Sequence, residues 1–268
     1  MFPFVIHQGD FIIPTFFFMV MVGVLILTFY LYFRAPKLGF SQVIVLDCGI
    51  IGAIFGILGA RIFHVFFEAL WFYQEDWTRV FEFWRGGFVS FGAYIGGSLS
   101  VLLYLRLRKV NILAYADYIA MAVPILVMAI RVGCLGAGCC YGKPTDFFLH
   151  FVFDHPSSDA GSKFPGVSLH ATQLYDFLNG LFLLIFLHWR YARKKFDGEI
   201  FILLFGMYSF IRGMIEFLRG DRDRGLYFDG LISTGQITGF VLILICIAGY
   251  VYLWRKVKNK EDEETNHE

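Results

Sequence analysis

Residues 11–33 read FIIPTFFFMVMVGVLILTFYLYF, a run without Asp, Glu, Lys, Arg or His. A helix rises about 1.5 Å per residue, so a run of this length spans the roughly 30 Å hydrocarbon core of a bilayer. The preceding stretch, Met1 to Asp10, lacks the basic residues of a cleavable signal, and the run is too long for a signal's apolar core. It reads as a retained first span. Composition agrees: 57% of the 268 residues are hydrophobic, 19% aromatic and 17% charged. Soluble domains average about 45–50% apolar and about 25% charged, so lipid is the solvent that fits this chain. A net charge of +1 gives no basic field for a nucleic acid, and none is expected as a partner.

Further apolar stretches fall at 43–67, 87–105, 112–130, 172–189, 200–217 and 231–254. The expectation is an all-α membrane protein, a bundle of about seven transmembrane helices, multi-pass, forming one domain over 1–258 with a charged tail at 259–268 that frays. Pro124 and Arg212 interrupt the fourth and sixth stretches. Basic residues follow alternate spans: Arg34 and Lys37; Arg106, Arg108 and Lys109; Arg190, Arg193, Lys194 and Lys195; Arg255, Lys256, Lys258 and Lys260. The positive-inside rule then puts the amino terminus outside and the carboxyl terminus in the cytoplasm.

The informative residues break the apolar pattern near the outer ends of spans. Arg61 and His64 lie in GARIFH, Arg131 in IRVGCLGAGCCYG, and Arg212, Glu216 and Arg219 in YSFIRGMIEFLRGD. An ionisable group inside a membrane is retained for a partner, a cavity or a ligand. Positions 212, 216 and 219 share one helix face, so a self-neutralising Arg–Glu–Arg ladder is the plain reading. With Arg61 and Arg131 added, a surplus of guanidinium groups at one depth points to a phosphate, and a lipid supplies it. Gly52, Gly56 and Gly59 suit close helix packing. Gly133, Gly136, Gly138 and Gly142 read as a loop whose N–H groups could meet an anion.

Cys48 and Cys246 sit in apolar spans and read as inert core. Cys134, Cys139 and Cys140 cluster on the outer side, where the reading is small-residue packing or one disulfide. C-x4-C-C is not a zinc spacing, and adjacent cysteines chelate poorly, so no metal is expected. No phosphate-binding or dinucleotide loop is present, and no cofactor is expected. His170, in SLHATQLYD, is open to roles as base, phosphate ligand or cap.

These segments resemble the prolipoprotein diacylglyceryl transferases over most of the chain. Gly59-Ala60-Arg61 looks like the family's GGR block, and GGFVSFGAYIG from Gly86 to Gly96 like its GG…GGLIG block. Arg131, Gly133 and Gly142 follow the outline of its signature, and His170 to Asp176 is similar to HPSQLYE. Tyr208, Arg212, Glu216 and Arg219 match Y-x-x-x-R-x-x-x-E-x-x-R, and Thr234 to Gln236 resembles MGQ. The chain departs from the pattern where Cys134 and Ala137 replace asparagines, Cys139 a glutamate, Phe91 a proposed base histidine and Phe16 a tyrosine.

The resemblance implies transfer of the diacylglyceryl group of phosphatidylglycerol to the lipobox cysteine of a preprolipoprotein signal peptide, in the bacterial inner membrane. Arg131 and Arg212 would stabilise the leaving phosphate; with Phe91 where the family has its histidine, removal of the thiol proton falls to the electropositive surroundings or to His170. Arg61, Glu216, Arg219, Gly133, Gly142, Tyr208 and Gln173 would bind substrate. Two alternatives stand beside it: a paralogue handling another phospholipid acceptor, and a membrane protein that binds phospholipid or lipoprotein without chemistry.

Overall fold

The structure is a computed structural model that describes residues 2–8, 11–83, 87–221, 226–227 and 232–265. Helices occupy each of the apolar stretches. They are α1 (Thr15–Arg34), α2 (Gln42–Phe63), the short α3 (Leu70–Gln74), α4 (Ser90–Leu107), α5 (Ile112–Ala120), α6 (Val123–Ala137), the short α7 (Asp159–Lys163), α8 (Thr172–Tyr191), α9 (Glu199–Glu216) and α10 (Thr234–Thr265). Three helical stretches among the described residues are long and apolar enough to cross a membrane: Thr15–Leu38, Gln42–Phe67 and Gly235–Asn259. A fourth is formed by α5 and α6, which meet at a bend of 40°. Pro124 lies in the first turn of α6, where its missing N–H leaves no helical bond unmade. α8 and α9 are as long as spans but carry buried Asp176, Asn179 and Glu199, which lowers their hydropathy. The chain is a multi-pass, all-α membrane protein. α10 runs on to Thr265 through the charged segment expected to fray; its Lys and Glu residues are good helix formers.

The chain divides into two packing units. One comprises residues 7–12 and 24–115. Within it α2 and α4 meet almost backbone to backbone: a Cβ on Gly59 would lie 2.3 Å from Gly92 O, and one on Gly92 2.3 Å from Gly59 O. Any side chain there would force the helices apart, and the small-residue reading of Gly59 holds. Asp47 of α2 accepts the hydroxyl hydrogen of Tyr104 on α4.

The other unit comprises residues 1–6, 13–23 and 116–268. Here α8 packs on α6, α9 on α8, and α10 on α9. Buried Asp117 of α5 sets the start of α9, accepting from Gly198 N (2.9 Å), Phe201 N (3.0 Å) and Lys194 Nζ (3.1 Å). One carboxylate thereby satisfies two orphan N–H groups of the helix and complements its dipole.

The segment after α6 is more ordered than a polar loop. Strands β1 (His150–Val152) and β2 (Ser168–His170) pair antiparallel, with Phe151 opposite Leu169. Tyr141, Phe153, Ala160 and Leu169 form a small buried core beneath them.

Candidate functional site

In α8, Thr172, Gln173, Asp176, Asn179, Gly180 and Leu183 are buried at helical spacing, which turns one stripe of the helix inward. The polar members of that stripe meet α6 and α9. Asp176 Oδ2 lies 3.2 Å from Arg131 Nε of α6 and 3.6 Å from Arg212 Nε of α9. The Asp176 side chain is 1% exposed, against 11% for Arg131 and 18% for Arg212. Arg212 Nη2 reaches Glu216 Oε2 at 2.7 Å, one turn along α9. Tyr208 lies one turn before Arg212 on α9.

Arg219 follows α9 and is fixed by backbone pairing. Lys143 N donates to Leu218 O (2.8 Å) and Gly220 N to Tyr141 O (3.1 Å), laying 218–220 beside 141–143. Its guanidinium forks onto Asp221, at 3.1 Å from Nε and 2.8 Å from Nη2. Burial pushes the Asp221 carboxyl upward, against the pull of Arg219.

The arginine surplus expected from the sequence is corrected here. Arg131, Arg212 and Arg219 face Asp176, Glu216 and Asp221, so the cluster is formally neutral. Hydrogen-bonding capacity nevertheless remains. Arg131 Nε and Arg212 Nη1 are buried without a protein acceptor in hydrogen-bond alignment, and Asp176 Oδ1 without a donor. Groups of this kind cost free energy unless something pairs them. Asn179 adds a buried amide with neither atom bonded to protein.

Arg61 belongs to the other packing unit, where its Nε meets Val80 O (3.0 Å), Nη1 meets Gly87 O (3.1 Å), and Nη2 meets Arg79 O (2.7 Å) and Glu82 O (3.2 Å). The rings of Tyr73, Phe83 and Phe88 surround it. It ties down the loop after α2. The side chain of Phe91 and residues 84–86 lie outside the described residues.

The glycines also differ from expectation. Gly133 and Gly136 are inside α6, not in a loop. A Cβ on Gly133 would lie 3.0 Å from Met19 Cβ and 3.1 Å from Phe16 Cα, so this glycine permits close packing on α1. Gly142 spends its N–H on His170 O (3.2 Å), and a Cβ there would approach His170 Cβ to 2.4 Å. Both therefore shape the scaffold.

Gln173 donates to Cys139 O (2.9 Å) and Thr172 to Cys140 O (2.7 Å), so the head of α8 holds the turn after α6. His170 Nδ1 lies 3.4 Å from Tyr175 Oη, whose own hydrogen goes to Leu149 O (2.9 Å). With the tyrosine hydrogen on Leu149 O, the contact is satisfied by His170 Nδ1 as donor. The five cysteines are all free thiols, so the disulfide alternative is not realised.

Asp176 is the residue that sequence reading passed over. It stood in the quoted TQLYD motif, and the signal was available: a carboxylate inside an apolar helix requires a cation.

A polytopic helical membrane protein with a buried arginine–carboxylate cluster is the class that fold and site define. The sequence matches the profile of the family described as prolipoprotein diacylglyceryl transferase over residues 3–252. The chain belongs to that family and is a transferase of its type. It is 34% identical to phosphatidylglycerol–prolipoprotein diacylglyceryl transferase 2 of Clostridium perfringens, over 91% of this chain and 92% of that relative. It is 32% identical to the Clostridium tetani enzyme over 85% and 88%, and 29% identical to one from Dehalococcoides mccartyi over 97% and 96%.

Proposed function

We propose that this protein moves the diacylglyceryl group of phosphatidylglycerol onto the lipobox cysteine of preprolipoproteins, in the bacterial inner membrane. In this reading seven spans cross the membrane with the amino terminus outside, the chain acting as one domain. The observation that carries it is Asp176, shared by Arg131 and Arg212, with the buried Nη1 of Arg212 still unmatched by protein. Asp176 and Glu216 hold the two forks, and the remaining N–H groups suit phosphoryl oxygens. An apolar cleft of about 430 Å³ beside the turn that carries Arg212, lined by Ser209, Gly213, Phe217, Ile237 and Phe240, suits an acyl chain.

The chemistry follows from charge. The substrate thiolate attacks the glyceryl carbon, a sulfur–carbon bond forms, and the carbon–oxygen bond breaks. Its electron pair leaves on glycerol phosphate, whose charge rises as the ester is lost. Arg131 and Arg212, fixed in a water-poor site, stabilise that growing charge, which is the kind of interaction that lowers a barrier. His170, whose Nδ1 side faces Tyr175 Oη, would receive the thiol proton at Nε2. Arg219 and Gln173 keep the turn beneath the site in shape.

The test is purified protein in phosphatidylglycerol liposomes with a lipobox peptide. Arg131→Ala and Arg212→Ala are expected to abolish thioether product while lipid still binds; undiminished product in either would refute the roles given. Cys134, Ala137 and Cys139, which stand where the family has asparagines and a glutamate, favour one second reading, an altered acceptor. Failure to complement loss of the standard transferase, with product formed on another thiol, would establish that instead.

A further inference from the structure

The sulfur atoms of Cys134, Cys139 and Cys140 all lie within 4.8 Å of one another. Adjacency of the last two does not separate them, because Cys140 takes a left-handed backbone (φ 61°) directly after the helix-ending turn at Gly138. The turn is held from outside the cluster. Cys139 N donates to Cys134 O (3.1 Å), while Gln173 and Thr172 hold the carbonyls of Cys139 and Cys140. A guanidinium lies beside the sulfurs: Arg131 Nη1 is 4.0 Å from Cys134 Sγ.

We propose that these three cysteines form a binding site for zinc, with three thiolate ligands and a fourth position left open. Zinc–sulfur bonds of about 2.3 Å at tetrahedral angles set sulfurs about 3.8 Å apart. Atoms already within 4.8 Å reach that spacing by small side-chain rotations. Three thiolates and a divalent cation leave a single negative charge, and the Arg131 guanidinium lies beside it. Cys134 is buried, whereas Cys139 and Cys140 are half-buried, so a fourth ligand has access from their side. Open-position zinc accepts an outside ligand, and a thiol bound to it is deprotonated.

One further step rests on the transferase reading. The fourth position takes the lipobox thiol, whose proton passes to His170 or water. The bound sulfur then forms its bond to the glyceryl carbon as glycerol phosphate departs with the electron pair. The ion undergoes no redox change.

The experiment uses the full chain in detergent, purified under reducing conditions, incubated with zinc and freed of excess. About one zinc per chain is expected by elemental analysis, and cobalt in its place should give thiolate charge-transfer absorption. Cys134→Ser, Cys139→Ser and Cys140→Ser should each lower retained metal at least tenfold, while Cys48→Ser leaves it unchanged. Wild-type protein that retains no zinc and gives no cobalt–thiolate band overturns the proposal without recourse to any variant. So does a disulfide among the three in protein isolated without reductant. With metal bound, product lost on zinc stripping and regained on reloading supports the substrate step; equal rates in both forms refute that step. Zinc bound but no product from either form counts against the transferase reading and leaves the metal site standing.

Discussion

Asp176→Asn isolates the group on which the cluster depends. The substitution keeps shape and removes the charge that both Arg131, at 3.2 Å, and Arg212, at 3.6 Å, face. Breaking a buried ion pair by removing one partner costs about 3–5 kcal/mol, because the other partner stays buried and unpaired. Residual exposure of 11% and 18% on the two arginines places the expected loss at the low end, about 3 kcal/mol. At about 2–4 °C per kcal/mol for a chain of this size class, the unfolding midpoint in detergent should fall by roughly 10 °C. The decisive measurement is a double-mutant cycle with Arg131→Gln. If the carboxylate and guanidinium stabilise each other, the double variant is less damaged than the two losses summed, by about 2 kcal/mol. Additivity within about 0.5 kcal/mol would refute the pairing and, with it, the account of how Arg131 is held.

Other consequences are open to the same kind of measurement. Arg212→Lys keeps the charge but loses the planar fork, and kcat should fall about 100-fold with little change in KM for lipid, as for loss of one transition-state donor; a proportional rise in KM would mark a ground-state contact. Gly142→Ala pushes a methyl to 2.4 Å from His170 Cβ, so stability should drop by about 1–3 kcal/mol in thermal unfolding. Arg61→Gln strands the carbonyls of residues 79, 80, 82 and 87, and limited proteolysis should cut between 75 and 83 while the parent chain resists. His170→Ala should lower the rate at neutral pH and restore it partly at higher pH, where the thiol ionises unaided; an unchanged rate would remove the histidine from the mechanism.

The helical stretches were legible because each is a long apolar run, a property local to the chain. The break between α5 and α6 was signalled only by Pro124. Arg212 and Glu216 were legible as a pair because they share a helix face one turn apart. Asp176 escaped because its partners are 45 and 36 positions away along the chain, and sequence spacing carries no record of tertiary approach. Arg61 misled for a related reason. Its partners are backbone carbonyls, which every residue has and no motif announces. Convergence of Cys139 and Cys140 on Cys134 depends on two left-handed residues, Gly138 and Cys140, and only the glycine hints at that conformation.

Asp117 also constrains how such proteins can be recombined. Because its carboxylate starts α9 from a helix far earlier in the chain, the 112–120 and 194–201 segments have to be inherited together. A chimera that exchanges one segment for that of a relative lacking the matching partner leaves either an uncapped helix or a lone buried acid. Crossover points on the outer flanks of both segments avoid that mismatch.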